Sequence, residues 1–218
     1  TVSAFFLQPC GEELTPTVRI TRQCIAHIVW SDNTCTQEEF VWPKGANGRA
    51  RSVLSASRLP WVVKCEKIVP GQRNRNKAEY EAFKASSVLR DFVPQVHGYY
   101  EQEVMGERIS MLLMDRIAFT FGHLIEKMMA GPLSELAMNV VVLNVLRVVR
   151  RIAEAAERGI LTHDWHVGNI AFHDECGASA MFLVDFEKNY PAAASTTYKE
   201  RMDATMKPFW AYLPGPIA

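Results

Sequence analysis

The apolar pattern changes period near residue 115, and this constrains the fold more than any other feature of the chain. Upstream, short apolar runs alternate with turn-forming residues, whereas downstream one long stretch repeats at helical spacing. Between residues 135 and 158, Leu136, Val140, Leu143, Leu146, Val149, Ala153 and Ala156 recur at i, i+3 and i+4, behind a capping Ser134 and ahead of Gly159. The spacing predicts a long helix with those residues inward, and the apolar run 140–143 predicts burial on more than one side. Earlier residues predict strands at 19–22, 25–30 and 39–42, then a hairpin of 52–57 with 61–65. A helix is expected over 77–89 with Tyr80, Phe83 and Val88 inward, and strands over 96–103 and 108–114 around Gly106. A short helix over 121–129 and apolar runs at 170–172 and 180–184 complete an α+β chain, strand-rich first and helical later.

Composition narrows the partners. The 218 residues suit one domain or one domain of two lobes, and 48% apolar content excludes wholesale disorder. With 24 basic and 24 acidic side chains the net charge is zero, which argues against a nucleic-acid partner. No apolar stretch reaches the ~20 residues a membrane span needs, and the first residues do not read as a signal peptide. The five Cys include no CxxC pair, so neither a zinc site nor a disulfide framework is expected, and reduced thiols suit a cytosol. Neutrality is only global. Between residues 44 and 77 nine basic residues face one acid, Glu66, which reads as solvated charge or as a positive field for phosphate or an acidic partner.

Three patches carry chemistry. Trp61-Val62-Val63-Lys64 sets a lysine in an apolar strand, and Asp164-Trp165-His166-Val167-Gly168-Asn169 forms a D-x-x-x-x-N loop after the long helix. Met181 to Glu187 then places Asp185 at the tip of an apolar strand, 16 residues after Asn169. Each patch alone is weak, but their order and spacing together are specific.

This arrangement resembles the protein-kinase-like superfamily over residues 39–187. The loop D-W-H-V-G-N and the V-D-F-E strand end are closest to its aminoglycoside phosphotransferase and choline-kinase-like branch. The resemblance implies a bilobal fold with ATP bound between the lobes: a strand-rich lobe over about 1–114, a hinge near 115–118 and a reduced helical lobe over about 119–218. It implies that Lys64 holds the non-transferred phosphates and that a helix acid orients it. Glu79 or Glu81 can serve. The two diverge by about 200° on a helix, and Glu79 is favoured because it shares a face with Phe83. Asn169 and Asp185 would hold Mg²⁺, and Asp164 would be the catalytic Asp beside the acceptor hydroxyl. His166 is expected to brace the loop. Gly45 and Gly48 would cover the phosphates, and Met114, Asp115 and Ile117 would hold the adenine edge.

The chain departs from the family in several places. Thr162-His163-Asp164 replaces H-R-D, no A-P-E follows, and only 33 residues come after Asp185. Regulation by activation-loop phosphorylation is therefore not expected. The short acceptor side favours a protein substrate, as in a minimal kinase of the effector kind delivered into a host cytosol. A small-molecule hydroxyl acceptor is the alternative, and a pseudokinase binding module the second.

Overall fold

In a computed structural model, the described residues are 17–20, 25–29, 35–41, 51–56, 58–104, 106–130, 134–162, 165–172, 181–186, 189–191 and 196–211. They are mixed α+β, with antiparallel sheets, and fall into two compact units. One comprises the described residues up to Lys84 together with Gln95–Arg116, and the other Ala85–Pro94 together with those from Ile117 onward. Among the described residues, no helix is long and apolar enough to cross a membrane.

The first unit is a seven-stranded sheet ordered β1-β2-β3-β4-β5-β7-β6. Its strands are β1 (Thr17–Ile20), β2 (Ile25–Val29), β3 (Cys35–Val41), β4 (Ser52–Ala56), β5 (Trp61–Lys67), β6 (Val96–Val104) and β7 (Glu107–Asp115). β7 lies between β5 and β6, and its run Ser110-Met111-Leu112-Leu113-Met114 is buried throughout, as an apolar strand covered on both faces requires. Because side chains alternate, Met111 and Leu113 join Leu54, Ala56, Trp61, Val63 and Tyr100 in one cluster. The opposite face carries Tyr99, stacked on Tyr80 of helix α1 (Arg75–Ala85) with ring centroids 5.7 Å apart.

Gly98 sits where the β6–β7 register shifts, and a Cβ there would lie 2.4 Å from the Tyr100 hydroxyl. The ring of Tyr100 thus occupies the space a side chain would need. Burial, with Tyr80 contributing second, pushes the Tyr100 phenol well above its usual range, so it stays neutral.

The sequence-predicted helix over 77–89 is two helices. Ser86 is extended and its hydroxyl accepts from Leu89 N, opening α2 (Ser87–Arg90). This turns Leu89 inward in place of Val88, which is half-buried. Phe92, just beyond, is buried beneath the guanidinium of Arg151, 4.1 Å from its centroid, and that of Arg158. Arg158 also meets the Asp91 carboxylate at 2.6 Å, and the Phe92 carbonyl accepts from Leu183 N at 2.7 Å.

The rest of the second unit comprises β8 (Phe119–Thr120), α3 (Phe121–Met129), α4 (Glu135–Glu157), β9 (Ile160–Thr162), β10 (Ile170–Phe172), β11 (Met181–Leu183), β12 (Asn189–Pro191) and α5 (Tyr198–Ala211). α5 opens with a capping box: Thr197 Oγ1 accepts from Glu200 N, and the Glu200 carboxylate accepts from Thr197 N at 2.8 Å. Arg201 then donates to the Ala156 carbonyl at 2.6 Å, adding to the bond that carbonyl accepts from Gly159 N at 3.2 Å at the end of α4. Gly159, at φ 80°, takes the left-handed position expected of it.

The inward face of α4 is a correction to the sequence reading. Val141, Val145, Val148, Ile152, Ala155 and Ala156 are buried, whereas Leu136, Leu143 and Leu146 are 74%, 53% and 59% exposed. Of the expected inward positions only Ala156 is fully buried. The buried residues recur at i, i+3 and i+4 on one face, whereas the expected set drifts around the helix and mostly flanks that face. Asn144 tolerates burial on the true inner face because its Nδ2 donates to the Val140 carbonyl at 2.9 Å.

Two measurements check this description. Ile152→Ala should cost about 2–5 kcal/mol in urea unfolding, while Leu143→Ala should stay within about 0.5 kcal/mol; the reverse order would restore the first orientation. The second concerns Glu101, whose carboxylate accepts from Tyr99 Oη at 2.5 Å and from Arg108 at 2.7 Å. The tyrosine hydrogen bond chiefly, with Arg108 adding to it, lowers the Glu101 pKa. A lowered folded-state pKa contributes stability above the ordinary Glu pKa, lost as pH falls through the folded value. Glu101→Gln should therefore flatten the acid limb of a melting temperature against pH profile.

Candidate functional site

In the first unit the site is built on the face of the sheet that α1 covers. Lys64 stands on β5 directly opposite Leu112 of β7 and Val53 of β4. On α1, Asn76, Glu79, Tyr80 and Phe83 recur at helical spacing and are all buried. That spacing aims Glu79 at the sheet, and Lys64 Nζ reaches its Oε2 at 2.9 Å and its Oε1 at 3.2 Å. Glu81, the alternative acid, is exposed. Lys64 and Glu79 are 6% and 0% exposed, so their charges interact in a medium far less screening than water.

Two residues that motif reading did not single out complete this cluster. Arg51, just before β4, donates from Nη1 to Glu79 Oε1, so one carboxylate serves two cations. Asn76 Nδ2 donates to the Lys64 carbonyl at 2.9 Å and the Ser110 carbonyl at 3.1 Å, pinning α1 to β5 and β7. Asn76 was discoverable, since it shares the helical face of Tyr80 and Phe83. Arg51 was hidden among nine basic residues whose sequence does not say which turn inward. Among the described residues of that stretch, Arg58, Lys67, Arg73, Arg75 and Lys77 are exposed, as in the 2.5 Å pair of Lys67 with Glu107.

At the end of β7, Met114 is buried and paired with Val62 and Val96. The Asp115 amide donates to the Gln95 carbonyl at 2.9 Å, and its carboxylate meets His97 Nε2 at 2.6 Å. The amides of Arg116 and Ala118 are also engaged, on the carbonyls of Pro60 and Phe172 respectively. Gly45, Gly48 and Asp164 lie outside the described residues.

In the second unit, the β10–β11 pairing sets Asn169 beside Val184, the residue before Asp185. Ile170 pairs with Leu183, and one step beyond, Val184 N donates to the Asn169 carbonyl at 2.8 Å. The loop before Asn169 is held from several sides. The His166 carbonyl accepts from Asn169 N at 2.8 Å, its Nδ1 accepts from Gly168 N at 3.1 Å, and the Val167 carbonyl accepts from Gly122 N at 2.8 Å. Trp165 is fully buried beneath the loop, and its indole N–H meets no acceptor among the described residues. His166 is thus a brace, and Gly168 lies so near its ring that a Cβ would come within 3.1 Å.

Asp185 has φ 62°, the left-handed region that Asp and Asn enter more readily than other side chains but still at a cost of about 1–3 kcal/mol. Among the described residues no group of three or more His, Cys, Asp or Glu gathers to hold a metal. Mg²⁺ does not require one, because it binds through one or two protein oxygens, substrate phosphates and water. Asn169 and Asp185 offer hard oxygen donors of that kind.

No protein-family model matches this chain, and comparison with curated proteins gives no match.

The ion cluster makes its own prediction. Glu79→Leu leaves two buried cations without their shared carboxylate and should cost roughly 3–5 kcal/mol in denaturant unfolding. Replacing all three charges, Arg51→Met with Lys64→Met and Glu79→Leu, should recover most of that loss.

Proposed function

We propose that this protein is a Mg-ATP-dependent phosphotransferase with a bilobal protein-kinase-like fold, moving the γ-phosphoryl group to a hydroxyl. The observation that carries the reading is the buried Lys64–Glu79 pair, a lysine on a central strand held by a helix acid. A lysine whose ammonium is fixed in a low-dielectric site costs no reorganisation when it meets a phosphate. The bond between Asn169 and Val184, the residue before the strained Asp185, supports it from the second unit.

On this reading Lys64 binds the non-transferred phosphates and Glu79 keeps its ammonium extended. The adenine edge is held at Met114, Asp115 and Ile117, at and just beyond the end of β7. Asn169 and Asp185 hold Mg²⁺, which when bound neutralises and bridges phosphate oxygens. Gly45 and Gly48 lend backbone amides to the phosphates, and Asp164 accepts or orients the acceptor proton. Phosphoryl transfer demands little more than this positioning and charge neutralisation. The acceptor is a protein hydroxyl, docked in part by the exposed basic side chains Arg58, Arg73 and Lys77. A second reading, a small-molecule kinase, is favoured by the D-x-H-x-G-N loop, in which His166 braces Gly168.

The test is transfer from labelled ATP with Mg²⁺, alongside thermal stabilisation by Mg-ATP. At a hundredfold excess over Kd the melting temperature should rise by about 5–10 °C. Label should pass to protein in a lysate, and Asp185→Asn should reduce that transfer about 100-fold or more. Transfer only to an aminoglycoside, choline or a sugar would select the second reading. Absence of any Mg-ATP stabilisation would remove both.

A further inference from the structure

We propose that Arg51 is a second phosphate-binding cation, acting beside Lys64 on the triphosphate of the nucleotide; this rests on the phosphotransferase reading above. The strand register places the two together. Val53 is directly opposite Lys64, so Arg51, two residues before Val53, lies on the same face of the sheet as the diagonal neighbour of Lys64. Their charged ends converge on one atom: Arg51 Nη1 and Lys64 Nζ both donate to Glu79 Oε1.

All three side chains are buried, Arg51 at 7% exposure. Two cations drawn to one carboxylate oxygen repel each other, and burial sharpens that repulsion. A ligand delivering clustered negative charge to the pair is therefore favoured well beyond what either cation alone would give. A triphosphate has that character. The planar guanidinium adds a geometric match, because its fork can donate two parallel hydrogen bonds to phosphate oxygens while an ammonium acts as a point charge. Arg51 also follows Gly48, the second glycine expected over the phosphates, by only three residues in sequence.

A purely structural Arg51 would serve Glu79 and Asn76, to whose Oδ1 its Nη1 also donates at 3.5 Å, and its loss would weaken the fold without discriminating among nucleotides. The two roles separate in the ratio of affinities for Mg-ATP and adenosine, which share the base and ribose but not the phosphates. Calorimetric or competition binding should show Arg51→Gln weakening Mg-ATP by about tenfold or more while adenosine binding is unchanged. Arg51→Lys keeps the charge that Glu79 needs and so guards against loss of folding. It should still weaken Mg-ATP severalfold, because the fork is gone. An unchanged ratio in both variants, with wild-type protein binding Mg-ATP normally, overturns this role and leaves the phosphotransferase reading intact. Wild-type protein that binds neither Mg-ATP nor adenosine overturns the reading and this role with it.

Discussion

A carboxylate with no exposed surface, held between a lysine and an arginine, is costly to bury, and much of the first unit is arranged to make it tolerable. Glu79 cannot face Lys64 unless α1 lies flat on the sheet, and Asn76 holds it there by bonding two adjacent strands at once. Lys64 cannot reach Glu79 unless β5 is interior and in the observed register with β7. Tyr80 and Phe83, one and four residues further along α1, supply the apolar contact that offsets desolvation of the charges. Sheet, helix and ion cluster are therefore a single construction, in which the polar core fixes the pose and the apolar residues supply the stabilisation.

The second unit solves a different problem, holding an irregular loop still. The segment from Trp165 to Asn169 has no ladder of its own, so its backbone bonds to itself, to the start of α3 and to Val184, just beyond β11. A buried indole anchors it from below. The positive φ at Asp185 completes the arrangement, since the chain turns sharply there as it leaves β11.

Sequence reasoning recovered elements where a pattern had one physical cause. The strands β5, β6 and β7 were legible because their apolar residues are flanked by clear turns, and Glu79 because helical spacing allows only one of two acids to face inward. It failed where two patterns were equally apolar. On α4 the set Leu136, Leu143, Leu146 is as hydrophobic as Val141, Val145, Val148, so hydropathy alone cannot orient the helix. Packing against α5 and β9 decides it, and the buried Asn144, satisfied within its own helix, hid the true face. The break at Ser86 was written in the chain as a capping residue but lay inside a run that otherwise read as one helix. Arg51 was legible only as one of several basic residues near the glycines, because a basic residue among many carries no mark of its direction until a register is known.

The short segment from Ala85 to Pro94 has an unusual position in the order of synthesis. It leaves the chain of the first unit, belongs with the second, and hands the chain back at Gln95. Its partners are Arg151, Arg158 and Leu183, all made much later. As the polypeptide emerges, the strands on either side of this segment can close on each other while Phe92 still has nothing to cover it. The ten residues inside the first unit's sequence meet partners that lie from about sixty to about ninety positions further along the chain. Completion of the second unit is thus what finally buries a piece of chain made within the first, and the two cannot be produced as separate fragments by a single cut.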